Sequence, residues 1–436
     1  GIFRNYFQTE NTSASTTTSG NVTLSGNITS GSFTSNGTLN FTGGEIGADA
    51  VVSLNNANIS VGTITLDTSD TWEGAYSLSN TGTLNLDGVT QGGTLNATGG
   101  NLNLNGTDLT ISTGSQIAGA VNTQLNSGSL TVNGTGSVTL NQGDVWNVET
   151  TLTNGSLTLD DMTRGNNASL YATGGNLNLG AVELVGNDDI GQYVVTTITD
   201  DVVLNGLNVN VRLDGMGSGA DNLVGGSVTV KNGVLSLNNL ATTNIAIITD
   251  DLRGALTLND VTLDNDNDYI NANLLSIEDN ITVNKGEIYV KGTDEWNGVI
   301  NLAGENANLN LANVIQGENG SLNATNGNLT VNNITLTKTE DIIAEAVKTT
   351  VAGDFTVSNG NVILDGATDT LQTGTLTLNS NGTLTMNDLT TENVNLIAQG
   401  GTLNLDNVTL NNDNDYIHFD SNVTFAGDLN ITKGTV

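Results

Sequence analysis

Short alternating phrases opened by glycine run through the whole chain. Gly-Thr-Leu-Asn-Leu stands at 82–86 and again at 401–405, Gly-Ser-Leu-Thr-Val at 128–132, Gly-Ser-Leu-Thr-Leu at 155–159, and Gly-Thr-Leu-Thr-Leu at 374–378. Apolar–polar alternation of period two sends every second side chain to one face, the pattern of a half-buried β-strand. Gly and Asn between the phrases supply the positive-φ positions of tight turns. A longer period lies above the short one. Asp70, Asp144, Asp221, Asp294 and Asp369 each precede Trp or Leu by two residues (Trp72, Trp146, Leu223, Trp296, Leu371) and follow one another at steps of 74, 77, 73 and 75 residues. Longer passages agree: 84–111 matches 157–184 and 309–336, and 256–270 matches 403–417.

A repeat of this kind divides the 436 residues into an N-terminal segment with degenerate first coils (1–69), four repeats (70–143, 144–220, 221–293, 294–368) and a truncated fifth (369–436). Two architectures suit repeats of about 75 residues, a string of small β-sandwiches or a β-solenoid. A sandwich needs a compact core of large residues, yet aromatic residues make up only 4% of the chain and two of the five copies lack Trp. Coils stacked on one another need only small inward residues, because each shares its burial with its neighbours. The proline count argues for β-ladder along the whole chain rather than a disordered linker. Average usage of about 5% would give roughly twenty prolines, and there are 0. Proline cannot donate to a β-ladder, so a chain that is nearly all ladder avoids it. The expectation is an all-β parallel β-helix (β-solenoid) of five repeats, each three or four coils of about 25 or 19 residues. Trp72, Trp146 and Trp296 are expected to pack in its core at one equivalent position.

The net charge of −35, from 10 Lys+Arg against 45 Asp+Glu, disfavours nucleic acid and anionic membranes, which need a basic face. Absence of Cys excludes disulfides and thiolate metal sites. No run of about 18 apolar residues marks a membrane-spanning helix. The first residues, 1–11, lack the basic and apolar regions of a signal peptide. Residues 430–436 match 281–290 cut short, so a longer protein is expected. A single imidazole, His418, and no thiol leave little for nucleophilic catalysis; His418 reads as a surface or turn residue. Polysaccharide cleavage by paired carboxylates remains a weaker alternative. The carboxylates sit at repeat-equivalent turns, no long inserted loop breaks the pattern, and basic residues such as Arg4, Arg164, Arg212 and Arg253 are sparse. No enzyme activity is expected.

The stretch Asp-Asn-Asp-Asn-Asp-Tyr-Ile at 264–270, returning in part at 412–417, imitates the first ligands of an EF-hand. That loop needs Gly at its sixth position, here Tyr269, and Glu at its twelfth. The equivalent turns in the other copies are 112–117, 185–190 and 338–343, and the first has no carboxylate. Asp and Asn suit turns in their own right. The first expectation is therefore a structural turn. The second is a local calcium site at Asp264, Asp266 and Asp268, with Asp413 and Asp415 in the later copy. No other cofactor is expected. The many Asn-x-Ser/Thr triplets arise by chance in so Asn- and Thr-rich a chain.

With these units in hand, the chain resembles the passenger regions of bacterial autotransporter adhesins and related haemagglutinin-like surface proteins. The resemblance is one of repeat style. It implies a right-handed coil, export, and display outside a Gram-negative cell as a rod-like adhesin or stalk. The partners would be glycans or proteins of host or neighbouring cells. The alternative is a self-assembling filament or coat subunit that stacks end to end, since solenoid ends expose strand edges. The aromatic cluster Phe3, Tyr6 and Phe7 would then cap the first coil or dock on a neighbouring copy.

Overall fold

The alternating phrases form strands, and each strand pairs in parallel with the one a coil earlier in the chain. A computed structural model describes residues 2–3, 15–215, 221–249, 253–273, 275–292, 295–372, 374–391 and 395–436. The chain divides into two compact units, one up to Val202 and the other from Val203 onward. Each is an all-β parallel β-solenoid.

In the first unit one coil is traced by the single long strand Ala50–Asp67, which passes along three walls in turn. Its three parts pair upward with Thr71–Trp72, Tyr76–Leu78 and Thr83–Asp87. The length of a coil follows from the register. Val22 lies under Leu39, a step of 17, whereas Leu102 lies under Thr123, a step of 21. In the second unit Ile247 lies under Ile270, a step of 23. The mean is close to 20, nearer the shorter of the two expected coil lengths.

Inward residues form vertical columns. On the third wall Leu66, Leu86, Leu104, Leu125 and Trp146 stand over one another. On the second wall Ile59, Leu78, Ala97, Ile117, Val138 and Leu157 do so. Nearly all are 0% exposed. Outward residues are Asn, Thr and Ser, and they bond along the stack. Asn103 Nδ2 donates to Asn85 Oδ1 at 2.7 Å and Asn58 Nδ2 to Asn40 Oδ1 at 2.9 Å. In the second unit Asn323 donates to Asn301 and Asn328 to Asn308, both at 3.0 Å.

The three tryptophans are buried, Trp72 at 2% and Trp146 and Trp296 at 0% exposure. They do not share one position. Trp72 stands over Leu54 on the first wall, but Trp146 stands over Leu125 on the third. Three full turns from Trp72 reach Val132 on the first wall, and two further walls reach Trp146. The repeat is therefore eleven wall-to-wall steps, or three and two-thirds turns. The second unit behaves alike: Trp296 stacks over Ile277, and Leu371 over Val351 on a different wall.

Corners between walls explain much of the Asn and Asp. Several are single residues in the left-handed region, among them Asp161 (φ 58), Asn313 (φ 56) and Asn407 (φ 56). Gly88 takes the equivalent place in an earlier copy with φ 83. Asn, Asp and Gly tolerate that region where other residues are strained.

Candidate functional site

The two acidic series of the repeat build one kind of corner. A tight turn returns the Asp N–H to a carbonyl three residues earlier: Asp70 to Asp67, Asp144 to Asn141, Asp188 to Val185, Asp268 to Asn265, Asp341 to Lys338 and Asp415 to Asn412, at 3.0–3.2 Å. The turn sends the carboxylate inward and places the second following residue, Trp or Ile, in the core. All these Asp are buried.

One carboxylate oxygen then accepts an N–H from the same turn, and the other an N–H from the coil before it. Asp70 accepts from Asp67 and Val52, both at 2.7 Å. Asp144 accepts from Asn141 at 2.9 Å and Thr123 at 2.8 Å. Asp188 accepts from Val185 at 2.9 Å and Leu170 at 2.8 Å. Asp341 accepts from Lys338 at 2.9 Å and Leu322 at 2.8 Å, and Asp369 from Asp365 at 2.8 Å and Thr349 at 2.7 Å. Each carboxylate is thus a staple between two coils. It serves N–H groups that would otherwise be buried without an acceptor.

In one series the staple has a further partner about 25 residues earlier. Arg164 grips Asp188 with both terminal nitrogens, at 2.6 and 3.0 Å. Thr242 donates to Asp268 at 2.7 Å, Gln316 to Asp341 at 2.7 Å, and Thr391 to Asp415 at 2.7 Å. The first copy lacks the carboxylate. There Ser115 is 4% exposed and its Oγ has no hydrogen-bond partner. The equivalent inward residue, Gln91, turns instead to the backbone of Thr110, at 2.6 and 2.8 Å.

Burial pushes the Asp70, Asp144 and Asp341 carboxyls above the usual range, against the pull of their N–H donors. Asp369 is pushed up to about 6 for the same reason. Asp67, half-buried at the start of the Asp70 turn, is held below the usual range by the hydroxyl and N–H of Ser69.

The residues of the suspected calcium loop differ in exposure. Asp264 and Asp266 are exposed, while Asp268 is buried and accepts the Ile245, Asn265 and Asp264 N–H groups at 3.0–3.2 Å. Asp413 is exposed, while Asp415 is buried and accepts from Asn411 and Asn412 at 3.1 and 2.9 Å. Among the described residues no group of three or more His, Cys, Asp or Glu converges on a point where a metal ion would sit. His418 is a surface residue 3.2 Å from Asp420. Of the aromatic cluster, the backbone of Phe3 lies beside Leu24; Tyr6 and Phe7 lie outside the described residues, as does Asp294.

Sequence reasoning passed over the inward partners Gln91, Arg164, Thr242, Gln316 and Thr391. A signal was present. Aligned copy by copy, each is polar where the period-two pattern calls for an apolar residue. No family model matches the chain, and no curated protein or solved structure matches it.

Proposed function

We propose that the chain is a non-enzymatic surface protein, a solenoid passenger or stalk displayed outside a bacterial cell in the manner of the autotransporter adhesins it resembles. The observation that supports this most is the fate of the acidic residues. Carboxylates at repeat-equivalent corners are the raw material for acid/base or metal chemistry, and among the described residues those of both series are taken up by backbone N–H groups. The outward ranks of Asn, Thr and Ser suit a hydrated surface whose contacts are made by hydrogen bonds. The partners of such a surface are glycans or proteins of neighbouring or host cells. Antibody labelling of intact source cells, with protease shaving, tests the proposal. Label on unpermeabilised cells that is lost on shaving is expected. Label that appears only after permeabilisation would overturn it.

A further inference from the structure

The first unit carries an open groove of about 640 Å³ beside its first wall. Its sides are corner residues of three coils, including Asn147, Asn166 and Asn187, and its floor holds the outward residues Glu149, Ser169 and Tyr171. We propose that this groove binds a neutral, hydroxyl-rich saccharide, with Tyr171 as the stacking platform and Glu149 as the acceptor for sugar hydroxyls. The adhesive reading above supplies its biological setting, but the chemistry stands without it.

The site is a break in the repeat. Where the second copy has Tyr171, the other copies have Asn96, Ile248, Asn323 and Ile397. Tyr171 is 54% exposed in a chain that buries all three of its tryptophans. An exposed aromatic edged by polar groups is the usual anchor of a binding surface, because a large rigid ring adds contact area at low entropic cost. Neither Tyr171 nor Glu149 is engaged by a side-chain partner among the described residues.

The wall of the groove is also fixed in place. Arg164 lies 4.4 Å over the Trp146 ring and donates to Ala168 O at 2.9 Å while it grips Asp188. The Gly165 N–H donates to Trp146 O at 2.7 Å, and the Asn167 N–H to Asn147 Oδ1 at 2.8 Å. A preformed site does not spend binding energy on ordering its own loop. The ligand class follows from charge. With Glu149 on the floor and a net charge of −35, a sialylated or uronate chain is repelled. Neutral hydroxyls meet the carboxylate of Glu149 as an acceptor, and the ring offers its face to the C–H side of a pyranose.

The test is binding of the full chain to an array of neutral gluco-, manno-, galacto- and N-acetylhexosamine oligomers, with sialylated and uronate oligomers alongside. Selective binding to a neutral oligomer is expected. Tyr171→Ala should weaken it roughly tenfold or more, Tyr171→Phe should keep most of it, and Glu149→Gln should weaken it, all at unchanged melting temperature. No neutral oligomer bound, or binding that Tyr171→Ala leaves intact, overturns the inference. Surface labelling reads the other proposal separately: a labelled cell surface with no saccharide binding sinks this site alone, and saccharide binding without surface label sinks only the display.

Discussion

Replacing Asp341 by Ala removes the acceptor for three donors at once: Leu322 N–H at 2.8 Å, Lys338 N–H at 2.9 Å and Gln316 Nε2 at 2.7 Å. The residue is 0% exposed, so water does not replace the lost acceptor without opening the corner. A buried donor left without a partner costs about 1–3 kcal/mol. Part of that sum returns, because the carboxylate itself is desolvated, as its raised pKa records. The net loss should be about 3 kcal/mol, in the range for removing one side of a buried charged network. In a stack held by nearest-neighbour contacts the loss stays local. The assay is native-state hydrogen exchange of the full chain, read on peptides spanning 316–345. Roughly a hundredfold loss of protection is expected there, with peptides of the first unit unchanged. Asp266→Ala, on the exposed shoulder of a related corner, should stay within about 0.5 kcal/mol. Equal protection in Asp341→Ala and the unaltered chain would refute the staple.

Three further outcomes follow from the same corners. Ser115→Asp recreates beside Gln91 the pair that Gln316 makes with Asp341, and should stabilise the first unit by about 1 kcal/mol; a fall in melting temperature would count against the equivalence of the turns. Stability should fall as pH rises from about 4 to 7. Asp369 holds its proton up to about 6 in the folded coil and to 3.8 in the unfolded chain, so between these values the folded state binds more protons. Self-repulsion of the acidic chain adds the same sign, and Asp369→Asn should flatten part of the slope in thermal melts. Millimolar calcium should leave the melting temperature unchanged, with or without Asp266→Ala and Asp413→Ala together; a saturable rise abolished by the double change would establish the metal site instead.

The solenoid was legible because alternation and the lack of proline are local signals that hold along the whole chain. Coil length was not. Landmarks such as Trp72 and Trp146 recur after a whole number of walls but not of turns, so dividing their spacing by three or four misses the true pitch. The carboxylates were half legible. The comparison of five turns pointed to structure before metal, yet sequence alone does not say that Asp268 points inward while Asp264 and Asp266 point out. That sense is set by the backbone turn, through the bond from Asp268 N–H to Asn265 O. The inward Arg164 broke the pattern visibly, but its meaning needed Asp188 to be brought beneath its guanidinium from 24 residues away.

The fractional repeat also bears on how such a surface meets a ligand. Because each copy advances by eleven walls, equivalent residues of neighbouring copies face different directions. Tyr171 lies outward on the first wall, paired with Thr151, while its equivalent in the preceding copy, Asn96, lies on the second, paired with Ser77. A binding residue fixed in one copy is therefore not repeated alongside itself by the next, and an alternation of walls keeps bulky Trp from piling in a single column. A whole-number repeat would favour flat arrays of identical side chains and multivalent contact. The two-thirds offset favours single grooves, each free to differ. Binding at Tyr171 should accordingly be one saccharide per chain, and isothermal titration giving two or more equivalent sites would contradict the geometry.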